Sequence, residues 1–259
     1  MQKITIKKIL KKKNKTPITC LTAYSKNIAQ IADKYCDLIL VGDSLGMVLY
    51  GMKTTREIKF ETMILHAKTV KRFTKRSLVV FDMPHKTYRN KFLAYKNAKA
   101  VIKLTKCDAV KLEGGKKIVS IIKYITKKGI PVMGHVGLLP QTSKTFKVRG
   151  KNLSQRKKIY EDAKLISNAG VFAIVVECVI ENLAKKITKN ISIPTIGIGA
   201  SKSCDGQILV TDDMLGMSGI YPKFVKKYTN LNKEINKSIK KYVTDVKTRR
   251  FPSFKNVYN

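Results

Sequence analysis

Eight short apolar segments of strand length recur along the 259-residue chain, with helical segments between them. An unbroken apolar run is typical of a strand that is buried on both faces, as in a parallel sheet. Strands that alternate with helices imply right-handed crossovers, and eight such units in this length predict an α/β fold, a (β/α)8 TIM barrel. The predicted strands are Ile18–Ala23, Leu38–Asp43, Leu78–Asp82, Ala109–Glu113, Pro131–Val136, Phe172–Glu177, Pro194–Gly199 and Gln207–Asp212.

The segments between the strands carry apolar residues at the spacing of one helix face. The length also fits two smaller domains, but no linker or repeat divides the sequence, and no G-x-G-x-x-G motif supports a dinucleotide-binding sheet. We therefore predict one domain over residues 1–259, with a basic helical segment from about residue 222 that is either a solvated extension or an oligomer contact. The predicted helical faces are Ile64, Ala67, Val70 and Phe73; Ala94, Ala98, Val101 and Ile102; and Ile118, Ile121, Ile122 and Ile125, and a further helix is predicted over Leu231–Val246.

The chain is strongly basic, with 53 basic and 17 acidic residues and a formal net charge of +36 at pH 7. Such an excess is compatible with binding to nucleic acid or to an anionic membrane. Two features favour a general enrichment of lysine at solvated positions. By count, 45 of the basic residues are lysine and 8 are arginine, although arginine is the better reader of phosphates and bases, and no basic run exceeds three residues. We therefore predict no specific nucleic-acid partner.

Cysteine usage and the amino-terminal sequence bear on location. Five cysteines without a C-x-x-C spacing indicate free thiols in a reducing compartment rather than disulfides or a zinc site. The first fifteen residues contain neither the apolar core of a signal peptide nor the arginine and serine bias of a transit peptide. No apolar run is long enough to cross a bilayer. These features predict a cytoplasmic protein without a membrane partner.

The acids Asp43, Asp82, Glu113 and Glu177 each lie at the carboxyl end of a predicted strand. Because α/β barrels keep their chemistry at the carboxyl ends of the strands, these side chains are expected to cluster there. Clustered carboxylates repel one another and need a cation, a shared proton or a cationic substrate. A hard divalent ion such as Mg²⁺ would satisfy three of them. The alternative is that each acid caps the helix that follows it, as Asp43 would do after the turn at Gly42.

Two further polar residues fall on the same strands. Lys111 lies two residues before Glu113, so both side chains point to one face of their strand. A buried lysine beside metal-binding carboxylates suits the binding of a substrate carboxylate, with a Schiff-base role as the less needed alternative. His135 lies in the sequence Gly-His-Val-Gly, where a structural role and a role in the pocket are equally compatible with the sequence.

A set of motifs resembles the ketopantoate hydroxymethyltransferase (3-methyl-2-oxobutanoate hydroxymethyltransferase) family. They occur in the family's order between about residues 18 and 225, which is nearly the whole chain, and LVGDSLGM, KLEGG and CDGQ together are highly specific. The resemblance implies a barrel of the phosphoenolpyruvate/pyruvate-binding type, assembled as a homodecamer. It also implies the substrates 3-methyl-2-oxobutanoate and 5,10-methylenetetrahydrofolate, with Mg²⁺ as cofactor and ketopantoate as product. The motifs are LTAYS, LVGDSLGMVLYG, HAKTVKR, DMP, KLEGG, GHVGLLPQ, ECV, IPTIGIGAS, CDGQILV and YPKF.

The resemblance also implies residue roles. Asp43 and Asp82 would hold Mg²⁺, joined by Glu113 partly through water, and the two aspartates would also contact the substrate. Ser44 and Lys111 would bind the carboxylate region of the 2-oxo acid. Glu177 would be the general base, and His135 would line the pocket near the new hydroxymethyl group.

The chain departs from the family pattern at four places. Ser25 replaces an acid, His85 an aromatic residue and Leu139 a threonine, and the loop TSKTFKVRG after Gln141 is a few residues short. None of these positions is an implied metal ligand or the base, so the departures bear on folate contacts and turnover. Two other functions fit parts of the sequence: another Mg²⁺-dependent lyase or aldolase acting on a 2-oxo acid, and a basic RNA-binding protein.

Overall fold

A closed barrel of eight parallel strands, in sequence order, is formed within residues 2–143, 145–219 and 221–258, the residues that the computed structural model describes. β1 pairs with β8 to close the barrel, and Ile18 lies opposite Gly206. The predicted TIM barrel is confirmed. The strands are β1 (Ile18–Thr22), β2 (Leu38–Val41), β3 (Leu78–Asp82), β4 (Ala109–Glu113), β5 (Val132–Gly137), β6 (Ala173–Glu177), β7 (Thr195–Ile198) and β8 (Gly206–Leu209).

The eighth strand was predicted with the wrong carboxyl end. It stops at Leu209, and Thr211 and Asp212 begin a short helix instead of extending the strand. Asp212 and Asp213 lie in the first turn of that helix, where negative charge interacts favourably with the helix dipole. The apolar run Ile208–Val210 therefore ends as a strand before the acids that follow it.

Two compact units divide the chain, a barrel unit Met1–Val210 and a C-terminal unit Thr211–Asn259. The C-terminal unit contains the predicted basic helix, which Asn230 caps by accepting from the Lys233 amide. The one-domain organisation stays a prediction. The helices of the barrel unit are α1 (Ile6–Lys11), α2 (Lys26–Tyr35), α3 (Leu45–Tyr50), α4 (Phe60–Arg72), α5 (Lys91–Thr105), α6 (Val119–Lys127), α7 (Leu153–Asn168) and α8 (Glu181–Asn190), and those of the C-terminal unit are α9 (Thr211–Met214) and α10 (Leu231–Lys247); short 3-10 helices cover Thr55–Glu57, Lys116–Ile118 and Phe254–Asn256.

Strand residues alternate between the two cores of the barrel unit, as the period of two requires. In β2, Leu38 and Leu40 lie in the core inside the barrel, whereas Ile39 and Val41 lie in the core between strands and helices. The helices supply the outer side of that second core with the predicted faces, such as Ala94, Ala98 and Val101 of α5. Burial on both faces is therefore confirmed for strands such as β2, β3 and β4, whereas Thr19 of β1 and Gln207 of β8 are exposed on the outer face.

The same alternation places the polar residues of the site. Ala109 lies inside the barrel, so Lys111 and Glu113 of β4, two and four residues later, point inward above it. Asp82 and Glu177 end β3 and β6 on the same side as the inward Val80 and Val175. The period of two thus brings these side chains together at the carboxyl end of the barrel.

Candidate active site

Lys111 makes a buried ion pair with Asp82 at the carboxyl end of the barrel. Its Nζ donates to both carboxylate oxygens of Asp82 at 2.8 Å and lies 3.6 Å from Glu113 Oε1. Burial opposes the charged form of Lys111, but the Asp82 and Glu113 carboxylates outweigh it and raise the pKa of this ammonium. Lys111 is therefore a cation at neutral pH, held inside the barrel by acids on two strands.

The carboxylates respond differently to this burial. Burial and the nearby charges of Asp82 and Glu113 raise the pKa of Asp43 well above its ordinary value. Burial also raises the pKa of Asp82 despite its bonds to Lys111. The pKa of Glu113 is lowered, because Lys111 and His135 stabilise its charge against the effect of burial. The cluster therefore has its least stabilised negative charge at Asp43.

His135 lies between two acids. Its Nδ1 is 3.3 Å from Glu113 Oε1 and its Nε2 is 3.2 Å from Glu177 Oε2. Neither ring N–H is aligned as a hydrogen bond with any described residue, so these contacts are close ion pairs. Burial and Lys111 lower the pKa of His135, but the two carboxylates outweigh them and raise it to about 9. The imidazole therefore carries a positive charge at neutral pH.

Glu177 is the member of this group that solvent reaches. Its side chain is 16% exposed, against 1% for His135. The β5 backbone fixes its position, because the Leu138 amide donates to the Glu177 carbonyl at 2.8 Å. Gly137, at φ +98°, permits this close approach, since a Cβ there would lie 2.3 Å from the same carbonyl oxygen. Glu177 thus has the access that a base acting on a bound substrate requires.

Gln141 is a site residue that sequence reasoning did not assign. Its Nε2 donates to Asp43 Oδ2 at 2.8 Å and to the Met83 carbonyl at 2.9 Å, and its backbone amide donates to Glu113 Oε2 at 3.1 Å. Tyr88 donates its hydroxyl proton to Gln141 Oε1. The signal in the sequence was the place of Gln141 in GHVGLLPQ, directly before the loop that differs from the family.

The helix-capping alternative is not what the structure shows. Ser44 occupies the N-cap position of α3 and Asn90 that of α5, so Asp43 and Asp82 are free to bond Gln141 and Lys111. Ser44 Oγ lies 2.7 Å from the Tyr24 hydroxyl, beside Asp43 in the chain. Every residue predicted for the site lies at the carboxyl ends of β2 to β6.

The donor set was compared with the needs of a divalent cation. Among the described residues, no three acidic, histidine or cysteine side chains are already arranged as a metal-holding group. Lys111 instead uses both oxygens of Asp82. The described cluster nevertheless sets four carboxylates against two cations, Lys111 and His135, and the raised pKa values of Asp43 and Asp82 indicate a deficit of positive charge beside them. Carboxylate oxygens and this deficit fit a hard divalent cation.

Comparison with known proteins identifies the family. A sequence-family profile described as ketopantoate hydroxymethyltransferase matches residues 3–254. A 3-methyl-2-oxobutanoate hydroxymethyltransferase of Pelagibacter ubique (strain HTCC1062) is 56% identical over 255 residues, covering 97% of this chain and 99% of the relative. The chain belongs to the ketopantoate hydroxymethyltransferase family. A relative of the same name from Bartonella henselae is 50% identical over 262 residues, covering 100% of this chain and 95% of the relative.

Solved structures similar to this ketopantoate hydroxymethyltransferase family member share its fold at low identity. A phosphonopyruvate hydrolase complex with oxalate and Mg++ has a TM-score of 0.62 at 11% identity, covering 99% of this chain and 93% of that chain. A 2,3-dimethylmalate lyase of the PEP mutase/isocitrate lyase superfamily has a TM-score of 0.64 at 11% identity, covering 98% and 88%. These likenesses agree with the (β/α)8 barrel fold.

The departures from the ketopantoate hydroxymethyltransferase pattern lie around the cluster. Ser25 is the N-cap residue of α2, without a side-chain cap bond in the described structure. His85 follows Pro84 after β3, and burial together with Lys86, Arg56 and Arg89 lowers its pKa. The Leu139 carbonyl accepts from the Thr142 and Ser143 amides at the start of the short loop. Lys144 of that loop lies outside the described residues.

All five cysteines are free, as predicted, and all five are buried. Within the described parts of the chain, no helix combines the length and the apolar character needed to span a bilayer.

Proposed function

We propose that this chain transfers a hydroxymethyl group from 5,10-methylenetetrahydrofolate to C3 of 3-methyl-2-oxobutanoate, giving ketopantoate (2-dehydropantoate) for pantothenate and coenzyme A synthesis. The family supports the reaction, since the curated relatives are named 3-methyl-2-oxobutanoate hydroxymethyltransferase. The observation that carries the proposal is the buried Asp82–Lys111–Glu113 group directly beside the Glu177–His135 pair. The Asp82–Lys111–Glu113 group would bind the anionic 2-oxo acid, and the Glu177–His135 pair would move the proton.

The substrate carboxylate is proposed to lie near Lys111 and Ser44. Lys111 is a buried cation, and an ammonium in a low-dielectric site attracts an anion more strongly than one in water. The Ser44 hydroxyl, already held by Tyr24, supplies a second donor at the neighbouring strand end. These two contacts would orient C3 of the substrate toward Glu177.

Glu177 is proposed as the base that removes the C3 proton. Its carboxylate is partly exposed, and His135, with Nε2 at 3.2 Å from Oε2, would hold its orientation toward the substrate. His135 is also proposed to line the pocket near the new hydroxymethyl group. The new C–C bond forms at C3, the carbon–nitrogen bonds of the folate methylene break, and one water supplies the hydroxyl, so that tetrahydrofolate leaves.

Asp43, Asp82 and Glu113 are proposed to hold Mg²⁺, because their oxygens and the charge deficit of the cluster fit this ion. When bound, Mg²⁺ supplies positive charge beside the oxygens of the 2-oxo acid, where negative charge develops as the C3 proton leaves. Asp82 must then share its oxygens between the ion and Lys111. Burial of the three carboxylates keeps water from competing for them.

The assembly and location of the chain are further parts of the proposal. The proposed homodecamer is supported by the family resemblance alone. A cytoplasmic location is supported by the five free cysteines. The lysine excess is proposed to cover solvated surface generally, without a specific nucleic-acid partner.

The test is hydrogen–deuterium exchange at C3 of 3-methyl-2-oxobutanoate in D₂O, followed by NMR with and without Mg²⁺ and before any folate is added. The expected result is exchange that needs Mg²⁺ and is lost in Glu177→Gln, while the surface variant Glu161→Gln exchanges normally. Addition of 5,10-methylenetetrahydrofolate should then convert the substrate into ketopantoate. Exchange without conversion would support the lyase or aldolase alternative, and no exchange under any condition would refute the proposed base.

A further inference from the structure

Gln141 is almost completely buried, at 1% exposure, and both ends of its side-chain amide are bonded. Nε2 donates to Asp43 Oδ2 and to the Met83 carbonyl, and Oε1 accepts the proton of the Tyr88 hydroxyl. A side-chain amide is neither an acid nor a base near neutral pH, and it is a poor nucleophile. Its contribution must therefore come from what it holds in place.

Tyr88 sets the direction of this amide. Its hydroxyl oxygen accepts from the Glu113 backbone amide at 3.4 Å, so the hydroxyl proton is directed to Gln141 Oε1. With Oε1 occupied as an acceptor, Nε2 directs one donor hydrogen to Asp43 and the other to the Met83 carbonyl. A reversed amide would place a carbonyl oxygen against the Asp43 carboxylate, which carries no proton to donate when it is charged.

The bonds form a circuit that links two carboxylates, Glu113 at the end of β4 and Asp43 in the turn after β2. The circuit runs from the Glu113 amide to Tyr88, from Tyr88 to the Gln141 side chain, and from there to Asp43, while the Gln141 backbone amide returns to Glu113 Oε2. Asp43 and Gln141 are 98 residues apart in sequence. Two acids that repel each other are thus each given an N–H donor from the same residue.

We propose that Gln141, oriented by Tyr88, is a positioning residue that holds the Asp43 and Glu113 carboxylates in the arrangement that binds the divalent cation. The inference rests on the proposed function, since it assigns these acids to a metal ion. Without the Gln141 amide, Asp43 loses its donor and turns away from the like charges of Asp82 and Glu113. Outer partners of metal ligands are typically worth about 10- to 100-fold in metal affinity.

The test is Mn²⁺ binding to the full-length protein, followed by the loss of the free-ion EPR signal and without substrate. Gln141→Met keeps the length of the side chain and removes its bonds, and we expect about 10-fold or weaker Mn²⁺ binding. Tyr88→Phe removes only the hydroxyl, so a smaller loss of about 3-fold is expected. Gln155→Met is the control, because the Gln155 side-chain amide accepts from the Gly150 backbone and bonds none of the cluster carboxylates among the described residues; it should bind Mn²⁺ like the wild type.

A second readout separates positioning from general disruption. If Gln141 acts through the ion, raising the Mg²⁺ concentration should restore most of the C3 exchange rate in Gln141→Met, with only the half-saturating concentration increased. Unchanged Mn²⁺ affinity in a folded Gln141→Met would refute the inference and leave the proposed function standing. Should that variant fail to fold, Tyr88→Phe decides by the same criterion. Failure of the wild type to bind Mn²⁺ would overturn the proposed metal site, and this inference with it.

Discussion

The Asp82–Lys111 pair allows a sharp test of the electrostatics of the cluster. Lys111 Nζ donates to both oxygens of Asp82 at 2.8 Å, and both side chains are buried. Removing one partner of a buried pair leaves an uncompensated charge and typically costs about 3–5 kcal/mol. We therefore expect Lys111→Met to lose about that much free energy of unfolding, or roughly 6–20 °C in Tm for a chain of this size.

The free energy of unfolding that Lys111→Met loses should depend on Asp82 and on pH. Without Lys111 the cluster keeps four carboxylates and one imidazolium, so Asp82→Asn should recover part of the stability in the double variant. A double-mutant cycle should give a coupling energy of about 1–3 kcal/mol. Lower pH should reduce the difference in free energy of unfolding between Lys111→Met and the wild type. The reason is that Asp43 and Asp82, whose pKa values are raised, become neutral first.

The assay is chemical denaturation of wild type, both single variants and the double variant, in buffer without divalent ions. Lys3→Met is the control, because Lys3 pairs with Asp108 at 2.8 Å but its side chain is 52% exposed, and exposed pairs contribute about 1 kcal/mol or less. A Lys111→Met variant as stable as the wild type at pH 8 would refute the reasoning. Losses in the free energy of unfolding that simply add when Lys111→Met and Asp82→Asn are combined would also refute it.

Three further predictions follow from the same structure. Asp82→Ala should weaken Mg²⁺ binding measured by calorimetry, and an unchanged titration would remove Asp82 from the proposed ligands. Gly137→Ala should lower stability by about 1–3 kcal/mol and slow C3 exchange, because its φ of +98° and the nearby Glu177 carbonyl leave no room for a methyl group; normal exchange at full stability would contradict this. Asp33 has a lowered pKa because the amides of residues 75 to 77 donate to it despite partial burial, so its stabilisation is present above its ordinary pKa and is lost as pH falls through the lowered value. Acid titrations of Asp33→Asn should lack that component of the stability.

The barrel was predictable from sequence because the strands are recognisable as short apolar segments between helical ones. Apolar runs such as those of β2, β3 and β6 are typical of parallel strands, and eight alternating strand and helix units fit a closed barrel. The period of two predicted that Lys111 and Glu113 share one face of their strand. The acids at four strand ends predicted a cluster of carboxylates at the carboxyl end of the barrel. What each of these residues does stays a proposal.

The hydrogen-bond circuit could not be predicted in the same way. Gln141 and Tyr88 lie in loops, where no periodicity fixes the direction of a side chain, and their partners are far away in sequence. A lone glutamine after a strand is usually solvated, so residue type gave no indication that this one is buried. The charge state of His135 depends on the balance of burial, Lys111 and two carboxylates, which only the assembled site determines.

The net charge of +36 is easier to understand once the acids have been placed. Three of them precede strands at the amino end of the barrel, and each accepts a backbone amide from the neighbouring strand: Asp37 from Thr19, Asp108 from Val79 and Asp205 from Thr195. Each also pairs with lysine. Four others form the cluster at the carboxyl end. These seven acids therefore have assigned partners inside the barrel unit, and ten of the 17 remain to balance 53 basic residues. The basic residues therefore outnumber the remaining acids more strongly than the composition alone indicates, and a lysine-rich solvated surface without a specific nucleic-acid partner stays a prediction.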